Sequence, residues 1–156
     1  MTADLEILQI LRRHGVRFVV VGGHAVNFHG YARVTEDIDV VWLRSPDAEN
    51  ALLLALQELG AQYITRQIDP ATGLERLAPV SASFIDANHL MMLWTRLGFV
   101  DLFDYVPGLP AEDLAAFFAD SIEAEGIRYA SLNWLVNMKK AAGRPTDLKD
   151  IEKLQG

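Results

Sequence analysis

The sequence predicts a mixed α/β chain, a small mixed β-sheet flanked by helices, forming one domain over residues 1–156. Three observations carry this expectation. Apolar residues alternate between helical spacing and short β-branched runs. Two of those runs, "VRFVVV" and "DIDVVW", read as buried strands. A chain of 156 residues suffices for one core but is short for two domains of ordinary size.

In chain order, Thr2 suits the N-cap of a helix carrying Leu5, Ile7, Leu8 and Leu11, with Gly15 at its stop. The first strand leads into Gly22 and Gly23, and a short helix from about Ala25 to His29 ends near Gly30. The second strand has Asp37 and Asp39 on one side. Ser45 and Pro46 open a helix through "DAENALLLALQEL", stopped at Gly60. The segment "AQYITRQIDPATGLERLAPVSASF" reads as a strand and then a loop. "LMMLW" and "FVDLFDYV" form two strands around a tight turn at Gly98. Period two places Val100, Leu102 and Asp104 on one face and Asp101, Phe103 and Tyr105 on the other. Pro110 opens a helix through "AEDLAAFFADSI", "GIRYASL" is extended, and "LNWLVNMKKAA" and "PTDLKDIEKL" are the final helices.

Composition excludes several classes. No apolar run approaches the roughly 18–20 residues of a membrane span, so no membrane partner is expected. "MTADLEILQILRRHG" does not resemble a signal peptide. The absence of cysteine rules out disulfides and thiolate metal sites and is compatible with a cytoplasmic location. A net charge of -7 argues against coating nucleic acid by bulk electrostatics, while leaving room for a local basic groove.

The chemistry-bearing stretch is "GGHAVNFHGYARVTEDID". Paired glycines between a strand and a helix permit a sharp bend and expose N–H groups to an anion such as phosphate; they equally make a plain tight turn. The spacing is not G-x-G-x-x-G, and no G-K-[ST] follows, so neither a dinucleotide fingerprint nor a P-loop is present. Asp37 and Asp39 leave the same face of one strand. Neighbouring carboxylates repel, and the remedies are a shared proton, a basic partner such as Arg33, or a divalent cation. An oxygen-ligated Mg²⁺ is the favoured remedy, with surface acids at a strand start as the bland alternative.

A strand ending in Gly-Gly, a helix, and then D-x-D on the next strand resembles the DNA polymerase β-type nucleotidyltransferase superfamily. "GGHAVNFHGYARVTEDIDVVW" resembles in particular its small bacterial branch of AbiEii-type toxin nucleotidyltransferases. "LVNMKKAAGRPTDLKDIEKL" is similar to that branch's closing Lys, Arg and D-x-x-D motif. The resemblance implies transfer of a nucleoside monophosphate from an NTP to a hydroxyl, with two Mg²⁺ ions. It implies that Gly22 and Gly23 hold the triphosphate, that Asp37 and Asp39 bind metal, and that Asp101 is the third acid, with Asp104 in reserve. Lys139, with Arg144 nearby, is implied to contact the nucleotide, and Arg33 and Thr35 match "R-x-T-x-D-x-D". Cations at a helix C-terminus also simply complement its dipole.

Other residues read as structural. His24 and His29 lack metal spacing, Asp147 and Asp150 read as a solvated face paired with lysines, and Met91, Met92 and Trp94 read as core. Two functional classes follow: an active nucleotidyltransferase acting on a tRNA, a protein or a small molecule, and an inactive binding module, for instance half of a toxin–antitoxin pair. The order "GGHAV…EDID" also loosely resembles small antibiotic nucleotidyltransferases. The small size predicts that a partner protein or a dimer supplies acceptor surface.

Overall fold

The computed structural model describes residues 2–31 and 37–156; Arg33 and Thr35 lie outside the described residues. Helix α1 (Ala3–Arg13) begins at Thr2, whose hydroxyl accepts from the Leu5 N–H at 3.2 Å, and it buries Ile7, Leu8, Ile10 and Leu11. Strand β1 (Phe18–Val21) runs straight into α2 (Gly22–Phe28), so the helix starts at the glycines rather than at Ala25. Strand β2 (Asp37–Trp42) and helix α3 (Pro46–Glu58), capped by Ser45, follow as the sequence predicts.

The predicted strand and loop after Gly60 form a hairpin instead, β3 (Gln62–Ile68) with β4 (Glu75–Pro79), followed by a short helix α4 (Ala82–Ala87). Strands β5 (Leu90–Thr95) and β6 (Gly98–Phe103) pair antiparallel. Helix α5 (Leu114–Ala119) starts well after Pro110, because the Asp113 carboxylate caps it by accepting from the Ala115 N–H at 2.9 Å. It also stops before Ile122. A second hairpin, β7 (Ile122–Ala124) and β8 (Ile127–Tyr129), turns through Glu125 and Gly126 at φ 53 and 83, which suits a two-residue hairpin loop. Helices α6 (Leu132–Ala142) and α7 (Pro145–Gln155) close the chain as predicted.

The described strands make one eight-stranded sheet in the order β4-β3-β5-β6-β2-β1-β8-β7. Strand β2 is interior, antiparallel to β1 and parallel to β6. Its alternation sorts the two faces. Ile38 and Val40 join residues of α1 and α3 in one core, whereas Val41 joins Phe117 of α5 and Met138 of α6 in another. Asp39, between them, therefore faces the α5–α6 side. Burial of an aliphatic side chain contributes about 1.5–3 kcal/mol, so Ile38, Val40 and Val41 together can hold a costly carboxylate in their midst.

Period two also corrects the reading of "LMMLW" as core. Met91 and Leu93 are buried, but Met92 and Trp94 point to the other face and are 66% and 49% exposed. No helix among the described residues is long and apolar enough to cross a membrane.

Arg44, just after β2, ties three parts of the fold together. Its guanidinium lies 4.6 Å from the Trp42 ring, donates to Asp104 Oδ2 at 2.8 Å, and donates to the carbonyls of Ile85 at 2.9 Å and Asn88 at 2.7 Å. Asp104 also receives His89 Nδ1 at 2.8 Å. This reserve acid is thus committed to structure. Replacing Arg44 by Ala strands several acceptors and should cost about 2–3 kcal/mol of stability, measured as a lower urea midpoint.

Candidate active site

The site is built where β1, β2 and β6 meet. The parallel register sets Asp39 directly across from Asp101, and the antiparallel register sets it across from Val21. Gly22 follows Val21 at φ +65. A Cβ there would run into Asp39 Oδ2 and lie 3.0 Å from its Cγ. Both the backbone conformation and the space therefore demand glycine. Gly23 is buried in the first turn of α2.

The electrostatics follow from this crowding. Burial is the largest influence on Asp39 and, with Asp101 and Asp37 adding negative charge, pushes its carboxyl up to about 7; Lys139 opposes the shift. Asp101 is raised as well, by burial first and by Asp37. The two carboxyls therefore titrate as an interacting pair. Asp37 is exposed at the start of β2, but both carboxylates feel its charge. Among the described residues no three Asp, Glu, His or Cys side chains stand close enough to form a ready-made metal set.

Asp39 and Asp101 open into a cavity of about 260 Å³ whose wall includes Gly22, Lys139, Arg144 and Asp147. Five residues singled out from sequence therefore meet at one place. The basic end is organised by α7. Lys139 is only 6% exposed, with Nζ 3.0 Å from Asp150 Oδ2 and 3.5 Å from Asp147 Oδ1. Arg144 grips Asp147 through Nε at 2.6 Å and a terminal nitrogen at 3.1 Å. Burial alone would raise the Asp147 carboxyl, but the Arg144 hydrogen bonds outweigh it and hold the group below the usual carboxylate range.

Asp147 and Asp150 are thus not a solvated face. Each is 1% exposed, because α7 folds back on α6 and closes them over Lys139. Sequence reading also missed the wall made by Pro107 and Gly108; the only signal was the turn composition of "PGLP". His24 and His29 make polar contacts within the fold. His29 Nε2 donates to the Ala130 carbonyl at 2.7 Å, and His24 Nε2 lies 3.5 Å from Asp4 Oδ2.

A matched pair of substitutions isolates the role of Gly22. Gly15 has φ +83, and a Cβ added there would meet nothing within 4 Å, so Gly15→Ala carries only the backbone cost of about 1–2 kcal/mol. Gly22→Ala should carry the same cost and also displace Asp39. We expect Gly22→Ala to lower thermal stability more than Gly15→Ala, the excess reporting the displacement of Asp39.

The fold is that of solved nucleotidyltransferases. It aligns with the lincosamide antibiotic adenylyltransferase LnuA, lincomycin-bound, at a TM-score of 0.61 and 16% identity, covering 99% of this chain and 95% of that one. The antibiotic-resistance factor ANT(2'')-Ia in solution aligns at 0.58 and 15% identity, covering 98% and 79%. Its complex with adenylyl-2''-tobramycin aligns at 0.57 and 13%, covering 96% and 84%. No protein-family model matches the chain, and no curated protein sequence does so. At these identities the likeness establishes the fold.

Proposed function

We propose that the protein is a Mg²⁺-dependent nucleotidyltransferase that moves a nucleoside monophosphate from an NTP to an acceptor hydroxyl. The observation behind this reading is the meeting of Gly22, Asp39, Asp101, Lys139 and Arg144 around one cavity. Two neighbouring carboxyls both pushed above the ordinary range mark a place where negative charge exceeds what the protein neutralises, and a divalent cation would relieve it. Mg²⁺ commonly takes one or two protein carboxylates and completes its shell with substrate phosphates and water. Asp39 and Asp101 fit that donor set, and Asp37 would join it at the mouth or hold a second ion. The ion would neutralise charge on the reacting phosphoryl group.

The protein's own residues have distinct tasks in this scheme. Gly22 lets the β1 backbone approach Asp39. Lys139 and Arg144 supply positive charge to the triphosphate side, each held in place by an acid of α7. Asp101 accepts the proton from the attacking hydroxyl. On the acceptor side, Met92 stands across from Asp101, and Trp94 and Phe99 follow with ring centroids 4.6 Å apart. This exposed apolar strip suits an acceptor with an apolar face, or a second protein surface, better than a polyanionic tRNA. The AbiEii-like sequence runs at both ends support a toxin–antitoxin setting as the second reading, in which a partner protein covers the strip.

Label transfer tests the proposal. The chain is incubated with α-³²P-labelled NTPs, Mg²⁺ and separate lincosamide, aminoglycoside, tRNA and protein acceptors. Labelled product that depends on Mg²⁺ and on Asp101 is the expected result. A chain that binds NTP yet labels no acceptor would favour the inactive binding module.

A further inference from the structure

A larger cavity, of about 550 Å³, lies at the other end of β1. Phe18 lines it, whereas Val21 and Gly22 at the opposite end of the strand line the carboxylate cavity; at about 3.3 Å per residue the two lie roughly 10 Å apart along the strand. Its wall joins two chemistries. Phe18, Leu43, Leu114 and Phe118 give an apolar floor, and Arg12, Arg17 and Arg128 bring three guanidinium groups to the same space.

Those arginines form no ion pairs among the described residues, where Arg128 donates only to the Ser121 hydroxyl, at 3.3 Å. Glu123 is the one acid on the wall, and it stands opposite Arg128 in the β7–β8 register. Arg12 is seated by the hairpin turn: a Cβ on Gly126 would lie 2.7 Å from its Cζ, so the glycine lets the guanidinium rest on the turn backbone. Three arginines around one acid leave a local surplus of positive charge in a chain of net charge -7. Like charges gathered without partners repel, and an anion relieves them. Guanidinium forks match carboxylate and phosphate oxygens, and the apolar floor adds burial energy for the remainder of the ligand.

We propose that this cavity is a second ligand site for a small amphipathic anion, a phosphate or carboxylate group attached to an apolar or aromatic body. The oxyanion sits among Arg12, Arg17 and Arg128, and the apolar body lies on Phe18, Leu43 and Phe118. This site does not depend on the nucleotidyltransferase reading, since it shares no lining residue with the carboxylate cavity.

The test is an NMR titration of the whole chain with 1-naphthyl phosphate, inorganic phosphate and 1-naphthol as separate probes. The expected result is saturable shifts of the Phe18 and Gly126 amides with 1-naphthyl phosphate, at an affinity at least tenfold above either of the other probes. The Arg12→Gln, Arg17→Gln, Arg128→Gln triple variant alters exposed side chains and should fold normally while losing at least tenfold in that affinity. Asp39→Asn should leave it unchanged. Any of these results would overturn the proposal: no saturable shift at Phe18 or Gly126, an affinity unaltered in the triple variant, or shifts centred on Gly22 and Asp101 instead. Equal binding of 1-naphthol would equally remove the anion from the site.

Discussion

Asp39→Asn should lower the proposed nucleotidyl transfer by about 10³-fold or more, and at the same time make the metal-free protein more stable at alkaline pH. The two effects have one cause. Asp39 has a folded-state pKa of about 7 against an ordinary 3.8, chiefly through burial and then through Asp101. Between those values the native protein keeps a proton that the unfolded chain has released. Asp39's contribution to stability is therefore fully present below about 3.8, declines as pH rises, and is lost by about 7. Above that pH the buried, ionised group is a standing cost of roughly 2–4 kcal/mol, since each tenfold change in proton affinity is worth about 1.4 kcal/mol. Asparagine keeps the shape and removes the charge. Urea denaturation at about pH 8.5 should show the variant stabilised, with the difference shrinking as pH falls toward about 4. A variant less stable than wild type at the alkaline end would mean that the Asp39 environment favours the carboxylate.

Lys139→Met should have the opposite effect on stability. Lys139 and its two acid partners are all nearly inaccessible, and breaking a buried ion pair by removing one member costs about 3–5 kcal/mol. For a chain of this size that corresponds to a fall in Tm of roughly 10 °C. Combining Lys139→Met with Asp150→Asn should recover part of the loss, because the second change removes a carboxylate that Lys139 helps neutralise. An unchanged Tm for Lys139→Met would show that the α6–α7 hairpin does not need its central cation. Transfer activity should fall in both variants, since Lys139 also offsets the charge of Asp39.

The parts of the site that lie on regular elements were legible in the sequence. "DIDVVW" and "FVDLFDYV" obey period two, so the common face of Asp37 and Asp39, and the separation of Asp101 from Asp104, follow from spacing alone. Helices α6 and α7 match their predicted spans because Ser131, Gly143 and Pro145 punctuate them. What escaped was pairing across distance. Asp147 and Asp150 look like ordinary surface acids along one helix, and only the packing of α7 on α6 buries them against Lys139. Pro70 and Gly73 mark the turn between β3 and β4, but β4 is mostly exposed and shows no apolar alternation that would pair it with β3, and the β7–β8 hairpin is too short to display periodicity. Gly22 was conspicuous beside Gly23. Its reason, the Asp39 carboxylate lying where a side chain would be, depends on strand register that local sequence does not encode.

If the Asp39–Asp101 cavity receives a metal–nucleotide complex, calorimetric titration of ATP, CTP, GTP and UTP will reveal it, with and without Mg²⁺, in wild type and Asp39→Asn. The expected outcome is Mg²⁺-dependent binding of at least one nucleotide to the wild type, lost in the variant despite its greater stability. Binding that persists undiminished in Asp39→Asn, or binding of no nucleotide to the wild type, would contradict a nucleotide site there.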